Sequence, residues 1–281
     1  METRKKIQIL VLKEDSHNSG LSSIIQNMKI DYPELDISLH YLPLLKISPV
    51  SLSFECINTP LTENTWLIFT SQNAVIPVLN SEKSWHSAKI ASIGKSTSSL
   101  ISSLGYKVSF APKIATATNF GVEFADFLKE IKFNGSLFLF QGTTASLELK
   151  NILEGRGYNV SRFIVYESNK IKLTKSEIDY LINFLDSSLA NNTTSILCVF
   201  SSLGASLFIE NISHAIDNSK ITNEVISHII KNLNVFAIGP ITGNTLNQLG
   251  FLKVQVIKNS SMEEMTNTVK LFIETLGGKF P

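Results

Sequence analysis

Residues 235–249 read Val-Phe-Ala-Ile-Gly-Pro-Ile-Thr-Gly-Asn-Thr-Leu-Asn-Gln-Leu, and Gly250-Phe251 follows them. This order predicts a buried strand, a glycine turn, a threonine and a short helix that stops at a glycine. Residues 90–106 repeat it as Ile-Ala-Ser-Ile-Gly-Lys-Ser-Thr-Ser-Ser-Leu-Ile-Ser-Ser-Leu-Gly-Tyr. One shift of 145 residues relates Gly94, Thr97, Leu104 and Gly105 to Gly239, Thr242, Leu249 and Gly250. Two copies of one unit predict two similar lobes with a functional site between them.

Composition favours two ordinary globular domains. The chain has 281 residues, of which 43% are hydrophobic and 17% charged, so two cores are expected and extended disorder is not. The net charge of +1 provides no electrostatic basis for binding nucleic acid or an anionic membrane. Cys56 and Cys198 lack metal or redox spacing and are interpreted as core residues of a reduced compartment. The first apolar run is too short for a signal peptide or a membrane span, so we expect a cytoplasmic protein.

Strand and helix patterns alternate along the chain, which predicts an α/β fold with mostly parallel sheets. The predicted strands lie near residues 7–12, 66–70, 90–93, 106–110, 136–141, 160–165, 196–200, 235–238 and 253–257. The predicted helices run from a cap within 16–19 to about 29, then near 72–80, 96–104, 119–131, 143–155, 174–188, from 204 onward, 241–249 and 262–275.

Strand counting predicts how the lobes are divided. The segment after residue 172 has only three strands, and the strand-helix unit at 7–29 has no partner of its own. We therefore predict two doubly wound parallel-sheet lobes, with the second inserted into the first. Domain 1 comprises 1–36 and 172–281, domain 2 comprises 46–160, and two connector strands, 37–45 and 161–171, join them.

Hydroxyl residues follow the predicted strands of both lobes. Phe69-Thr70-Ser71 matches Phe200-Ser201-Ser202 at a shift of 131 residues, and Thr118 and Ser261 are each predicted to start a later helix. Parallel strands bring such ends to the carboxyl edge of the sheet, where α/β folds bind ligands. The alternative is that these residues only cap helices, because serine and threonine are common N-caps.

Familiar cofactor motifs do not fit the chain. Gly94-Lys95-Ser96 resembles the end of a phosphate loop, but Lys89 occupies the place of the required first glycine. The five histidines show no metal-binding spacing, and no nucleophile elbow or carboxylate pair stands out. We therefore expect an activity that uses neither a metal nor another cofactor.

Several segments, in their order and spacing, resemble the uroporphyrinogen-III synthase family. They cover most of the chain: Ile68-Phe-Thr-Ser-Gln-Asn-Ala-Val75, Ile93-Gly-Lys-Ser-Thr97, Leu104-Gly-Tyr106, Gly157-Tyr-Asn-Val160 with Val165-Tyr166, Val199-Phe-Ser-Ser202, and Ile238-Gly-Pro-Ile-Thr242 with Leu249-Gly250. Leu42-Pro43-Leu44 and Ile47-Ser-Pro49 resemble the family's first connector. One departure is Thr143-Thr144-Ala145, where family members often have a basic residue after the Gly142 turn.

The resemblance implies a cyclising hydro-lyase of porphyrin and haem biosynthesis. Its substrate would be hydroxymethylbilane, a linear tetrapyrrole with eight carboxylates, which closes with loss of water and inversion of ring D through a spiro-pyrrolenine. Without enzyme the bilane closes to the type I isomer, so the enzyme's main task would be to hold a geometry. We expect a monomer that uses no cofactor and takes the bilane in a transient hand-over from the preceding bilane-forming enzyme.

The resemblance also implies the site residues. Tyr166 is the expected acid or proton positioner, with hinge packing as the alternative role. The expected substrate-binding residues are helix N-termini and hydroxyls that hold carboxylates: Thr70, Ser71, Gly94, Lys95, Ser96, Thr97, Thr118, Ser201, Ser202, Gly239, Pro240, Ile241 and Thr242.

Two other classes of protein remain open on sequence alone. One is a non-catalytic two-lobed protein that binds a polycarboxylate or tetrapyrrole. The other is a two-lobed glycosyltransferase, although no acidic partner for a nucleotide ribose is evident.

Overall fold

A computed structural model describes residues 4–14, 20–50, 62–81, 85–216, 222–258 and 260–277. Strands and helices alternate along these residues. The first are β1 Lys5–Val11, α1 Gly20–Asp31, β2 Leu35–Tyr41 and β3 Leu45–Pro49. Next come β4 Thr65–Phe69, α2 Gln72–Leu79, β5 Lys89–Ser92, α3 Lys95–Ser103, β6 Val108–Phe110, α4 Ala117–Glu130, β7 Ser136–Gly142, α5 Glu148–Gly155 and β8 Val160–Lys170. The last are α6 Lys175–Ser187, β9 Thr193–Val199, α7 Ser202–Ile216, α8 Asn223–Asn232, β10 Asn234–Ala237, α9 Pro240–Gln248, β11 Lys253–Val256 and α10 Met262–Leu276.

The first compact unit comprises residues Met1–Lys46 and Lys170–Pro281. Its five-stranded sheet has the order β11-β10-β9-β1-β2, and every neighbouring pair is parallel. Side chains alternate across β1: Ile7, Ile9 and Val11 pack under one helical layer, and Leu10 packs under the other. Burial on both faces explains why residues 7–11 of this strand are apolar apart from Gln8.

The second compact unit comprises residues Ile47–Asn169. Its six-stranded sheet has the order β3-β8-β7-β4-β5-β6, and the five strands from β8 to β6 pair in parallel. At the β3 end, Ile171 N donates to Leu44 O and Val50 N donates to Val165 O. Residue numbers therefore rise along one strand as they fall along the other, so β3 and β8 are antiparallel. The α/β class with doubly wound parallel sheets is confirmed.

The internal repeat extends beyond the residues that revealed it. The shift of 145 residues relates β5 to β10 and α3 to α9 at both of their ends. Gly105 and Gly250, which follow these helices, have φ values of +84° and +93°. This left-handed conformation favours glycine, which explains the glycine stop in each copy. The same shift relates Thr116 to Ser261, and each of them accepts a hydrogen bond from the third residue of its helix, Asn119 N or Glu264 N.

The structure corrects three predicted boundaries. Residues 37–41 of the predicted connector 37–45 belong to β2, which runs from Leu35 to Tyr41 at the edge of the first sheet. The strand beside β8 begins at Leu45. The helix predicted from Gly204 onward is two helices, because Thr222 caps a separate α8 by accepting from Val225 N. The N-cap of α4 is Thr116, two residues before the predicted Thr118. In each case a local capping or edge position decided the boundary, and the broad hydrophobic pattern did not.

The remaining predictions concern the cysteines, the cap of the first helix and the division into domains. Cys198 is fully buried in β9, as predicted, and burial raises the pKa of its thiol to about 12. The predicted cap within 16–19 and Cys56 lie outside the described residues. The division into a discontinuous domain 1, residues 1–36 and 172–281, and an inserted domain 2, residues 46–160, stays a prediction. No helix in the described ranges has the length and apolar character that a membrane span requires.

Candidate active site

The predicted site residues follow the carboxyl ends of the central parallel strands. In the second unit, Thr70 and Ser71 follow β4, and the segment from Gly94 to Thr97 lies just after β5. In the first unit, Ser201 and Ser202 follow β9, and the segment from Gly239 to Thr242 follows β10. Each sheet therefore has one edge where hydroxyls and helix N-termini occur together, as expected from the sequence.

Ser71 and Tyr166 are in contact. Ser71 Oγ donates a hydrogen bond to Tyr166 Oη over 3.0 Å. Ser71 occupies the N-cap position of α2, but its side chain accepts no hydrogen bond from the helix. Both side chains are half-buried. The capping alternative therefore does not describe Ser71, whose hydroxyl is directed to the tyrosine.

Gly142 makes this contact possible. The pairing of β7 with β8 is regular to Gln141 and Ile164, and then shifts so that Gly142 pairs with Tyr166. The irregularity sets Tyr166 over the end of β7, where a Cβ on Gly142 would lie 2.5 Å from the tyrosine ring. Because β7 lies between β8 and β4, the ring crosses a strand that has no side chain at this point.

Thr97 and Thr242 occupy equivalent places at the third residue of α3 and α9. The N-caps of these helices are Gly94 and Gly239, which have no side chain to accept a bond. The threonines are 3% and 5% exposed, and neither hydroxyl has a hydrogen-bond partner within the described ranges. The only fully buried side-chain polar atom there without a partner is Trp66 Nε1, so both threonine hydroxyls keep some access to solvent. They are therefore buried hydroxyls beside helix N-termini, with slight access to solvent and no partner among the described residues.

The neighbouring residues of these turns differ in exposure. Lys95 is exposed, and Ser96 is half-buried and accepts from Gln72 Nε2 through its carbonyl oxygen at 3.0 Å. Pro240 and Ile241 are exposed, and 66% of Ile241 is accessible. The turns thus present the first residues of α3 and α9 to solvent. We expect their backbone N–H groups to be accessible to an anion.

Ser201 fits the capping alternative. Its Oγ accepts from Gly204 N at 2.9 Å, at the start of α7. Ser202 is half-buried, and its carbonyl oxygen accepts from Ser206 Oγ at 3.2 Å. Although Ser201 matches Thr70 and Ser202 matches Ser71 in sequence, only the second unit provides a tyrosine partner for its serine within the described ranges.

Thr118 is the predicted site residue that fits least well. Its Oγ1 donates to Glu148 Oε1 over 2.5 Å, joining the first turns of α4 and α5. A carboxylate already accepts from this hydroxyl, and its negative charge disfavours a second carboxylate at the same place. We therefore interpret Thr118 as a contact between two helices.

Arg162 was not predicted from the sequence. It lies in β8 opposite Leu139, and its guanidinium reaches the loop after β7. Nε donates to Gln141 Oε1 at 2.9 Å, and Nη2 donates to Gly142 O at 3.4 Å and to Ala145 O at 3.1 Å. The available signal was an arginine that directly precedes the apolar segment Phe163-Ile164-Val165 of this strand.

Neither a metal cluster nor a cavity coincides with the predicted site residues in the described ranges. Within the described ranges, no three His, Cys, Asp or Glu side chains form a cluster that could hold a metal ion. A cavity of about 620 Å³ lies by the amino ends of β5 and β6, lined by His86, Lys89, Tyr106 and Lys107 among others. None of the predicted site residues lines it. The predicted site residues lie at the opposite, carboxyl edge, where the hydroxyls and helix N-termini occur.

These features define a two-unit α/β protein in which hydroxyls, glycine turns and helix N-termini lie at the carboxyl edges of the sheets, a set suited to an anionic organic ligand. The sequence model of one family, described as uroporphyrinogen-III synthase HemD, matches residues 5–267. The chain therefore belongs to the uroporphyrinogen-III synthase family, which comprises cyclising lyases of porphyrin synthesis.

Solved structures are similar in fold. Uroporphyrinogen-III synthetase from Helicobacter pylori aligns with a TM-score of 0.57 at 18% identity, covering 94% of this chain and 99% of that one. A mutant uroporphyrinogen III synthase from the extremely thermophilic bacterium Thermus thermophilus aligns with a TM-score of 0.60 at 11% identity, covering 96% and 99%. A search of curated proteins finds no match. The family match supports the enzyme, and nothing in the comparisons favours the non-catalytic binding protein.

Proposed function

We propose that this chain is a hydro-lyase that closes hydroxymethylbilane to uroporphyrinogen III with inversion of the last ring. Family membership supplies the reaction class. The structural observation that carries the proposal is the hydrogen bond from Ser71 Oγ to Tyr166 Oη. It joins two residues, one expected to bind substrate and one to act on it, at the carboxyl edge of one sheet.

The direction of this hydrogen bond matters for proton transfer. Because Tyr166 Oη accepts a hydrogen bond from Ser71 Oγ, its own O–H remains available to another acceptor. In the proposed reaction that acceptor is the bilane hydroxyl, which takes the proton and leaves as water, so that an azafulvene cation forms. The ring carbon that closes last then loses a proton, which restores Tyr166. The net change is loss of one water.

The remaining task is to hold the substrate's carboxylates. Thr97 and Thr242 provide hydroxyls without a partner among the described residues at the N-termini of α3 and α9, where backbone N–H groups and the helix dipole favour negative charge. These donors are neutral, which is consistent with a chain of net charge +1. We propose that they fix the bilane in the geometry that leads to the inverted ring.

Location and assembly belong to the same proposal. We propose a cytoplasmic monomer that receives the unstable bilane directly from the enzyme that forms it. Sedimentation of the purified protein at several concentrations checks the monomer.

The test is conversion of hydroxymethylbilane by purified protein, with the product isomers separated chromatographically after oxidation. The proposal predicts that type III forms in excess over type I, and faster than the bilane closes alone. A protein that binds uroporphyrin but leaves the spontaneous type I product unchanged would be the non-catalytic alternative. That outcome would overturn the proposed activity.

A further inference from the structure

The guanidinium of Arg162 is held in place by neutral acceptors alone. Its three hydrogen bonds go to the amide oxygen of Gln141 and to the carbonyl oxygens of Gly142 and Ala145. Gln141 is only 3% exposed, so the acceptor of Nε is itself fixed in the sheet. Three bonds in a planar fork leave the guanidinium little freedom to turn.

The positive charge of Arg162 has no counter-ion within the described part of the chain. The other arginine of this unit, Arg156, pairs with Asp126 at 2.9 Å, and Lys150 pairs with Glu154 at 3.0 Å. Arg162 forms no such pair there, although it is half-buried. A partly desolvated cation without a counter-ion is stabilised by any anion that reaches it.

Part of the fork is also free. Nε and Nη2 make all three hydrogen bonds, and Nη1 has no acceptor among the described residues. Two N–H groups of an immobilised cation are therefore available to one incoming carboxylate. The cost of ordering this side chain is already met in the free protein, which favours binding.

The position of Arg162 ties it to the candidate site. Its guanidinium donates a hydrogen bond to Gly142 O, and the ring of Tyr166 packs on the side of Gly142 where a Cβ would stand. The loop after β7, Thr143-Thr144-Ala145, has no basic residue of its own. Arg162 therefore places a cation beside this loop, through its hydrogen bonds to the carbonyl oxygens of Gly142 and Ala145.

We propose that Arg162 binds one carboxylate of the substrate through Nη1, and that this contact helps to select the inverted product. The inference rests on the proposed function for the identity of the substrate. The carboxylate-binding role itself rests on the geometry of the guanidinium. Its failure and the failure of the proposed activity are therefore separable by experiment.

The experiment compares Arg162→Gln with Arg156→Gln, which removes the same charge from an exposed surface pair of the same unit. Bilane turnover is measured as kcat and KM together with the ratio of type III to type I product. Loss of a charge-assisted hydrogen bond raises KM about tenfold in Arg162→Gln and increases the type I share. Arg156→Gln behaves like the unchanged protein. Equal KM values and equal isomer ratios in both variants overturn the inference while leaving the proposed activity intact.

A second measurement does not depend on turnover or on the variant's folding. The chain has three arginines, Arg4, Arg156 and Arg162, so their guanidinium signals are separable by ¹⁵N NMR of the unmodified protein. Titration with uroporphyrin III, an octacarboxylate, is expected to shift the Arg162 signal and leave that of Arg156 in place. A shift without catalytic turnover supports the carboxylate site and contradicts the proposed activity. Saturation of the protein without a shift at Arg162 overturns the inference.

Discussion

Ser71 Oγ donates to Tyr166 Oη over 3.0 Å, across the end of the strand that lies between them. Neighbouring strands lie about 4.8 Å apart, so β4 and β8 are separated by roughly twice that distance. Tyrosine is long enough to span it only if the intervening strand ends without a side chain. Gly142 supplies that condition. The pair therefore depends on three strands of the second unit, and we expect Tyr166 to be a site residue as well as a packing residue.

Gly142→Ala tests this dependence. The added methyl would lie 2.5 Å from the Tyr166 ring, so the ring must move, and we expect a loss of about 1–3 kcal/mol in unfolding free energy. The matched control is Gly155→Ala, because a Cβ on Gly155 at the end of α5 meets nothing within 4 Å. Urea unfolding and bilane turnover are measured for both. Equal stability and activity in the two variants would show that the ring position is not constrained.

Tyr166→Phe separates the hydroxyl from the ring. If Tyr166 protonates the leaving hydroxyl, turnover should fall by about 100-fold or less, at the low end for general acids, because water can substitute in part. Product identity should change less than the rate, since the carboxylate contacts remain. Tyr166→Ala also removes the ring that covers Gly142, so it should lose stability and release more bilane to the type I product. Full activity in the Phe variant with loss only in the Ala variant would leave packing as the sole role.

Thr242→Val and Ser261→Ala distinguish a ligand donor from a cap. Ser261 Oγ accepts from Glu264 N at 3.2 Å, so its loss should cost about 1 kcal/mol of stability. Thr242 lies at the third residue of α9 with no partner for its hydroxyl among the described residues, so valine should leave stability unchanged and weaken bilane binding. Thermal unfolding and KM decide between them. A destabilised Thr242→Val variant with normal KM would assign this threonine to the fold.

Stability should fall at mildly acidic pH because of His40. Its ring stacks on Tyr180 at 3.7 Å, and burial lowers the pKa of His40 from 6.5, with Glu177 acting weakly in the opposite direction. The unfolded chain then takes up the proton first, so stability is lost as pH falls below about 6.5.

His40→Phe keeps the stacking and removes the titrating group, so it should flatten the change in melting temperature between pH 7 and pH 5. Hydrogen bonds from Thr174 lower the pKa of Glu177, which places its contribution below about pH 4.5 and outside this window. The control is His86→Phe, whose ring stacks on Tyr106 but is exposed. An identical change in melting temperature between pH 7 and pH 5 in both variants would show that His40 does not cause the loss of stability.

Much of the fold was predictable because its determinants are local. Apolar runs with helices between them predicted the parallel sheets, and Gly105 and Gly250 predicted two helix ends that have positive φ. Less was predictable where the pairing of strands determines which sheet a segment joins. The antiparallel partner of β8 begins at Leu45 because residues 35–41 join the first sheet, a choice between two extended segments that the pattern does not separate.

The site was predictable as a set of strand ends and not as a set of contacts. Repeated hydroxyls predicted that several of them lie at the carboxyl edge, yet Ser71, Ser201 and Thr118 make three different kinds of contact there. The roles of Gly142 and Arg162 depend on a pairing irregularity and on a side chain that extends from the neighbouring strand. Neither has a signature in the spacing of residues.

We propose above that the hydroxyls at the N-termini of α3 and α9 guide ring closure to the inverted isomer. The most direct test of this claim is the product of a single turnover, with protein in excess over bilane, for the unchanged chain and for the combined variant Thr97→Val with Thr242→Val. We predict predominantly type III product from the unchanged chain and a clear increase of type I in the variant, with both proteins equally folded. An unchanged excess of type III in the variant would contradict the claim.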